Sequence, residues 1–254
     1  MNIVFTSCGN DSVALAKWCF DNGKTDLHFA HSDTKWGSQS WPERVAMFKY
    51  WVELNGATFH LLGSEGFELL AKRKKAFPTN GMAFCSYELK IKPAKDWLEI
   101  IDAKKEATCY TGVRRCESVN RANWPEWIEE SDNHGGRSLH SPLVRHTDEM
   151  RNELIERTPF PILETRSQEC WPCVNSNKSD LRLIKTFDIE KVEKLEAEID
   201  ALKKNDGERF MFRSAKCGGA QGIRQVFDWA HTSTGGYNHD QLPMFGCESG
   251  FCGD

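Results

Sequence analysis

Apolar and polar positions follow one another along this chain in short alternating blocks. The apolar run Ile3-Val4-Phe5 has the length of a buried strand. Seven small or polar residues follow, Thr6 to Ser12, and then Val13, Ala14, Leu15 and Trp18 recur on one helical face. The reading is strand, tight loop, helix. Residues 26–30 (DLHFA) predict a second strand, and Trp41-Pro42-Glu43 opens a helix through Val45, Phe48 and Trp51. Pro42 suits the first turn and Glu43 favours the positive end of the helix dipole. Residues 57–62 predict a third strand, and 67–75 a helix with Leu69, Leu70 and Ala71 on its apolar side. A helix carrying Trp97, Leu98 and Ile101 follows Pro93, and residues 108–111 (TCYT) predict a further strand. Residues 122–138 read as a polar, glycine-containing loop, and 148–156 and 222–230 as helices. In 188–204, Ile189, Val192, Leu195, Ile199 and Leu202 form one stripe, which packs on the sheet or pairs with a second copy in a homodimer. Strands alternating with helices predict a doubly wound α/β fold, mainly parallel, with helices on both faces and ligands at the carboxyl ends of the strands. The expected division is a nucleotide-binding α/β domain over 1–186 and a helical, loop-rich, cysteine-containing extension over 187–254.

The loop between the first strand and first helix carries the first candidate chemistry. Ser7, Gly9, Asn10, Asp11 and Ser12 bring small hydroxyls and backbone N–H groups to the positive end of a helix dipole, where a phosphate or sulfate fits. Gly9 lets the backbone approach the anion with no Cβ in the way. The G-x-x-x-x-G-K-[ST] spacing of a Walker A loop is absent. The structural alternative is a plain turn in which Asp11 or Ser12 caps the helix.

The chain has 254 residues and a formal net charge of −4, so no global basic field points to nucleic acid. Residues 1–20 are interrupted by Asn10 and Asp11 and do not read as a signal peptide, and no apolar run reaches membrane-span length. The expectation is a cytoplasmic protein with no membrane partner. Ten cysteines in such a setting point to metal, cluster or redox chemistry before disulfides. Cys19 and Cys109 lie in apolar stretches and are expected to be buried and inert.

Three later segments concentrate reactive side chains. Phe84 to Pro93 places Cys85 five residues before Lys90. Gly112-Val113-Arg114-Arg115-Cys116-Glu117-Ser118, followed by Arg121, sets guanidiniums beside a glycine turn just after a strand, a pattern suited to gripping an anion. In that pattern Arg114 and Arg121 hold phosphate or sulfate, Ser118 adds a hydroxyl and Glu117 sets the arginine geometry; the alternative is a salt-bridged helix start. Cys170-Trp171-Pro172-Cys173 is a C-x-x-C, a metal or redox motif in an intracellular chain. The tail ends in Cys247 and Cys252, whose C-x4-C spacing also suits a metal.

Taken in order, these segments resemble the phosphoadenylyl-sulfate (PAPS) reductase family of the adenine-nucleotide α-hydrolase superfamily. Ser7 to Ser12 resembles the SGGKDS pyrophosphate loop of the N-type ATP pyrophosphatases, with Asn10 in the place of the lysine. Asp33, Thr34, Pro42 and Glu43 are similar to the D-T-G-x-x-x-P-E segment that borders the nucleotide. Cys85, Lys90 and Pro93 match C-[CT]-x-x-[LR]-K-[IV]-x-P, with Ser86 replacing a second cysteine. Gly112, Arg114, Glu117, Ser118 and Arg121 match T-G-x-R-x-x-[EQ]-S-x-x-R. Cys170, Pro172 and Cys173 match G-C-x-P-C-T, with Glu169 replacing the glycine.

The resemblance implies an adenine nucleotide as ligand, either ATP with Mg²⁺ or PAPS/APS, held by Ser7, Gly9, Asn10, Asp11, Ser12, Asp33, Gly112, Arg114, Ser118 and Arg121. It implies Asp11, Lys90 and, as a loose echo of the family's mobile tail cysteine, Cys252 as catalytic residues. It places Cys85, Cys170 and Cys173 in a [4Fe-4S] cluster, with Cys116, Cys247 or Cys252 as the fourth ligand or with the fourth iron open; structural zinc held by Cys170, Cys173, Cys247 and Cys252 is the alternative, and a thioredoxin-type dithiol fits this context poorly. Two reactions are implied: ATP-dependent sulfur transfer releasing pyrophosphate, with a sulfur-donor protein and a nucleic-acid acceptor as partners, or reduction of PAPS or APS with release of sulfite. A nucleotide-binding partner without catalysis is the third reading.

Overall fold

The computed structural model describes residues 1–79, 82–202, 210–212 and 216–234. Six strands form one sheet: β1 Asn2–Phe5, β2 Leu27–Ser32, β3 Thr58–Leu62, β4 Thr108–Tyr110, β5 Trp127–Ser131 and β6 Arg137–His140. Their order is β3-β2-β1-β4-β6-β5. Every pairing is parallel except β5 with β6. The helices are α1 Asn10–Asp21, α2 Trp41–Leu54, α3 Phe67–Lys74, α4 Phe84–Ser86, α5 Lys92–Ile101, α6 Asp148–Ile155, α7 Lys178–Arg182, α8 Thr186–Ala201 and α9 Gly222–Ala230. A π-helical turn, Tyr87–Ile91, joins α4 to α5.

The strand pleat divides the core. Val4 and Phe29 point to one face, where Val13 and Leu15 of α1, Phe48 and Val52 of α2 and Ile155 of α6 cover them. Ile3, Phe5 and Ala30 point to the other, against Ala94 and Leu98 of α5. Both faces being covered, β1 is an unbroken apolar run, as expected of a parallel strand. Cys19 and Cys109 are fully buried, and burial pushes each thiol up to about 12. A further cluster joins Trp36, Phe67, Leu89 and Trp171 to Ile189, Val192 and Ile199 of α8 and Ile223 of α9. Ile189, Val192, Leu195 and Ile199 of the apolar stripe are thus buried within their own chain, while Leu202, just past α8, is exposed.

Residues 122–138, expected as a loop, contain β5 and the start of β6. The strand WIEES is a sheet edge with only Ser131 buried, so its sequence lacks an apolar face. Charged residues on an edge suppress pairing with other chains, which hides such a strand from pattern reading.

The strand order reverses between β1 and β4: β2 and β3 lie to one side of β1, and β4, β6 and β5 to the other. This is the topological switch point, and it places the crevice at the carboxyl ends of β1 and β4. No helix among the described residues is long and apolar enough to cross a membrane.

Candidate functional site

The loop after β1 fills one side of the crevice. Its hydroxyls and amides form a closed network: the Ser7 amide donates to Ser12 Oγ at 3.0 Å, the Ser7 and Ser12 hydroxyls lie 3.2 Å apart, and the Gly9 amide donates to Ser7 Oγ at 3.3 Å. Cys8 takes φ of 60°, and Arg44 Nε donates to its carbonyl at 2.7 Å, which fixes the turn from α2. A Cβ on Gly9 would lie 2.9 Å from Ser167 Cβ. Here glycine is required by the close passage of the 163–170 segment. The Asn10 side chain is engaged with the passing segment at Leu163. Its amide donates to the Leu163 carbonyl at 2.9 Å and accepts the Leu163 N–H at 3.0 Å. A short amide that satisfies a passing backbone in both directions clamps two segments together.

The opposite wall follows β4. Gly112 has no room for a side chain, because a Cβ there would lie 3.0 Å from the Asp11 carbonyl oxygen. Arg114 Nε donates to Asp11 Oδ1 at 2.6 Å, and its other nitrogens reach Cys116 Sγ at 3.0 Å and Asp148 Oδ1 at 3.0 Å. Burial draws the Arg114 pKa down, yet Asp11, Cys116 and Asp148 outweigh it and hold the group above its ordinary value. Arg151, three residues after Asp148 on α6, pairs with that carboxylate at 3.1 Å. Arg121 is 1% exposed and pairs with Glu117. The Ser118 hydroxyl is fully buried with no hydrogen-bond partner among the described residues.

Lys90 and Glu169 form a buried ion pair at the end of the π-helical turn. The Thr34 hydroxyl donates to the Glu169 carbonyl at 2.5 Å, fastening the loop after β2 to the same segment. Asp33 opens that loop and accepts the Lys35 amide at 2.8 Å. Around the crevice the cations Arg114, Arg121, Arg151 and Lys90 are matched by Asp11, Glu117, Asp148 and Glu169. The expected guanidinium clamp is therefore already engaged with carboxylates. These pairs hold Asp11 and the loop in place, beside the serine hydroxyls and the first-turn amides of α1.

The expected cluster ligands are only partly together. Cys170 and Cys173 share one turn and interact with each other, and Cys85 lies within electrostatic reach of Cys170. The neighbouring Cys170, with Arg166 nearby, draws the Cys173 pKa below that of a free thiol. Cys116 sits elsewhere, exposed, between Arg114 and the His146 carbonyl it donates to at 3.4 Å. Among the described residues, no group of three or more His, Cys, Asp or Glu side chains is arranged to hold a metal ion. A cubane needs at least three converging thiolates, so the thiols as placed do not fit one. Cys247 and Cys252 lie outside the described residues.

Arg44, Arg151 and Asp148 escape the sequence reading. Only the Asp148/Arg151 spacing on α6, which brings the two side chains to one helical face, gives a signal for them.

No protein-family model matches the chain. It is 29% identical over 190 residues to the "uncharacterized 37.8 kDa protein in gpa 5′ region" of Escherichia phage 186, a match spanning 66% of this chain and 57% of that protein. The chain thus accounts for less than two thirds of the length of this relative. Among solved structures it resembles PAPS reductase from Candida auris in its phosphate complex, with a TM-score of 0.43 and 16% identity over 64% of this chain and 75% of that one.

Proposed function

We propose that the crevice binds the phosphate end of an adenine nucleotide and that the protein is an enzyme using that nucleotide in sulfur chemistry. The observation that carries this reading is the Ser7–Gly9–Ser12 network at the head of α1, at the switch point of the sheet, with Gly112 packed directly on Asp11. In the first form of the reading, ATP is cleaved between its α and β phosphates. Loop amides and hydroxyls hold the pyrophosphate, and Asp11 keeps Arg114 beside it as charge develops. The adenylylated acceptor is then attacked by a sulfur nucleophile that displaces AMP. The acceptor is a nucleic acid and the sulfur comes from a donor protein. Asn10, locked on Leu163, supplies no cation, so Lys90 is the residue suited to replace the loop lysine once the phosphates compete with Glu169.

A second form, reduction of PAPS or APS to sulfite, is favoured by the paired thiols Cys170 and Cys173 at the same end of the sheet. One experiment separates the two: the purified protein is given ATP with nucleic acid as acceptor, or PAPS and APS with a dithiol donor. Pyrophosphate from ATP supports the first form and sulfite from a sulfonucleotide the second. Tight nucleotide binding with neither product leaves only a non-catalytic nucleotide-binding role.

A further inference from the structure

The C-x-x-C turn is held from three directions. The Trp171 amide donates to the Trp36 carbonyl at 2.7 Å, and the Lys191 ammonium donates to the Trp171 carbonyl at 2.6 Å. The Trp36 indole donates to the Pro172 carbonyl at 3.2 Å. Trp171 itself is 1% exposed, so the turn is anchored in the core between its two cysteines. The Cys173 amide donates to Ser176 Oγ at 3.1 Å, which fixes the far end. The outcome is two half-buried thiols, Cys170 and Cys173, carried on one turn whose backbone is pinned on both sides of Trp171 and has little freedom to separate them. The Asn175 amide donates to Cys173 Sγ at 3.5 Å and marks that sulfur as the one prepared to carry negative charge. No third ligand completes a metal set among the described residues.

We propose that Cys170 and Cys173 are a dithiol–disulfide couple that exchanges two electrons with small-molecule disulfides and dithiols. The Cys173 thiolate attacks one sulfur of the disulfide RSSR, forming a mixed disulfide and releasing RS⁻. Cys170, deprotonated in turn, attacks Cys173 Sγ, closing the Cys170–Cys173 bond and releasing the second RS⁻. The pair is oxidised by two electrons, RSSR is reduced, and the two thiol protons leave on two RSH. A reduced dithiol reverses each step. The proposal does not depend on the nucleotide reading: it concerns the turn, whether or not the crevice binds ATP.

The test uses full-length protein purified without oxygen and equilibrated with graded mixtures of reduced and oxidised glutathione, then acid-quenched and mapped by mass spectrometry. The expected result is loss of two hydrogens within the peptide spanning Cys170 and Cys173, with a single reversible midpoint. Cys85→Ser keeps that link and its midpoint. Cys170→Ser abolishes it and leaves Cys173 as a glutathione mixed disulfide, while the thermal transition stays cooperative. The proposal is overturned if no mixture yields the link, or if the link formed joins Cys85 to either cysteine. It is also overturned if the protein as purified holds iron or zinc that Cys170→Ser removes.

Discussion

Arg114 and Asp11 lie 103 positions apart in the chain and meet through Arg114 Nε and Asp11 Oδ1 at 2.6 Å, both almost fully buried. The contact joins the two walls of the switch-point crevice: Asp11 opens the helix after β1, and Arg114 follows the end of β4. Removing Asp11 leaves a buried guanidinium, but Glu117 at 3.5 Å and Asp148 at 3.0 Å remain beside it. Asp11→Ala should therefore cost less than the about 3–5 kcal/mol typical of a broken buried pair, and the protein should still fold. Nucleotide-dependent turnover should be lost. Denaturant unfolding together with a product assay checks both halves.

Gly112 is where the two walls touch. Gly112→Ala places a methyl 3.0 Å from the Asp11 carbonyl oxygen, a backbone atom that cannot swing aside. Overpacking of this kind costs about 1–3 kcal/mol. The nucleotide affinity should fall with it, because the shift is transmitted to the first turn of α1. Wild-type stability and affinity in this variant would show that the walls are not in contact.

The Lys90–Glu169 pair sets the charge presented to a phosphate. Glu169→Gln retains the shape and removes the opposing charge. Affinity for inorganic pyrophosphate should rise about tenfold, as about 1.4 kcal/mol of regained attraction gives, while stability falls. Calorimetric titration of the variant reads the first effect and denaturant unfolding the second.

His134 gives the fold an acid limit. It is 1% exposed, its Nδ1 lies 2.8 Å from Ser131 Oγ, and burial followed by Arg137 lowers its pKa to about 3. The unfolded chain takes up this proton near pH 6.5, and the folded chain does so only near pH 3. Stability is thus unaffected above pH 6.5 and declines as pH falls toward 3, by about 2 kcal/mol at pH 5. In His134→Gln this part of the slope should vanish, which unfolding curves at pH 7 and pH 5 will show.

Where local pattern and tertiary role coincide, the sequence reading holds. The apolar run at Ile3–Phe5, the loop of small residues and the helix α9 at Gly222–Ala230 fall where their periodicity and composition put them. It fails where a residue type is used for something other than its usual chemistry. Arg121 reads as an anion ligand, and its burial and pairing with Glu117 are not legible from the motif alone. Asn10 reads as part of a phosphate loop but clamps Leu163, and no local signal announces a partner 153 residues away. β5 is hidden because an edge strand needs no apolar alternation. Cys116 reads as one candidate for a fourth cluster ligand because it departs from the family's motif; in the structure it sits beside Arg114.

The claim beneath these predictions is that the loop at the head of α1 grips phosphate. Titration calorimetry with ATP and with PAPS, using adenosine as the phosphate-free control, tests it on wild type and on Ser12→Ala. The account predicts at least one nucleotide binding about 100-fold more tightly than adenosine, with about tenfold of that lost in Ser12→Ala, as expected when a charge-assisted hydrogen bond is removed. Equal affinities for adenosine and both nucleotides, or a Ser12→Ala variant that binds as wild type does, would contradict it.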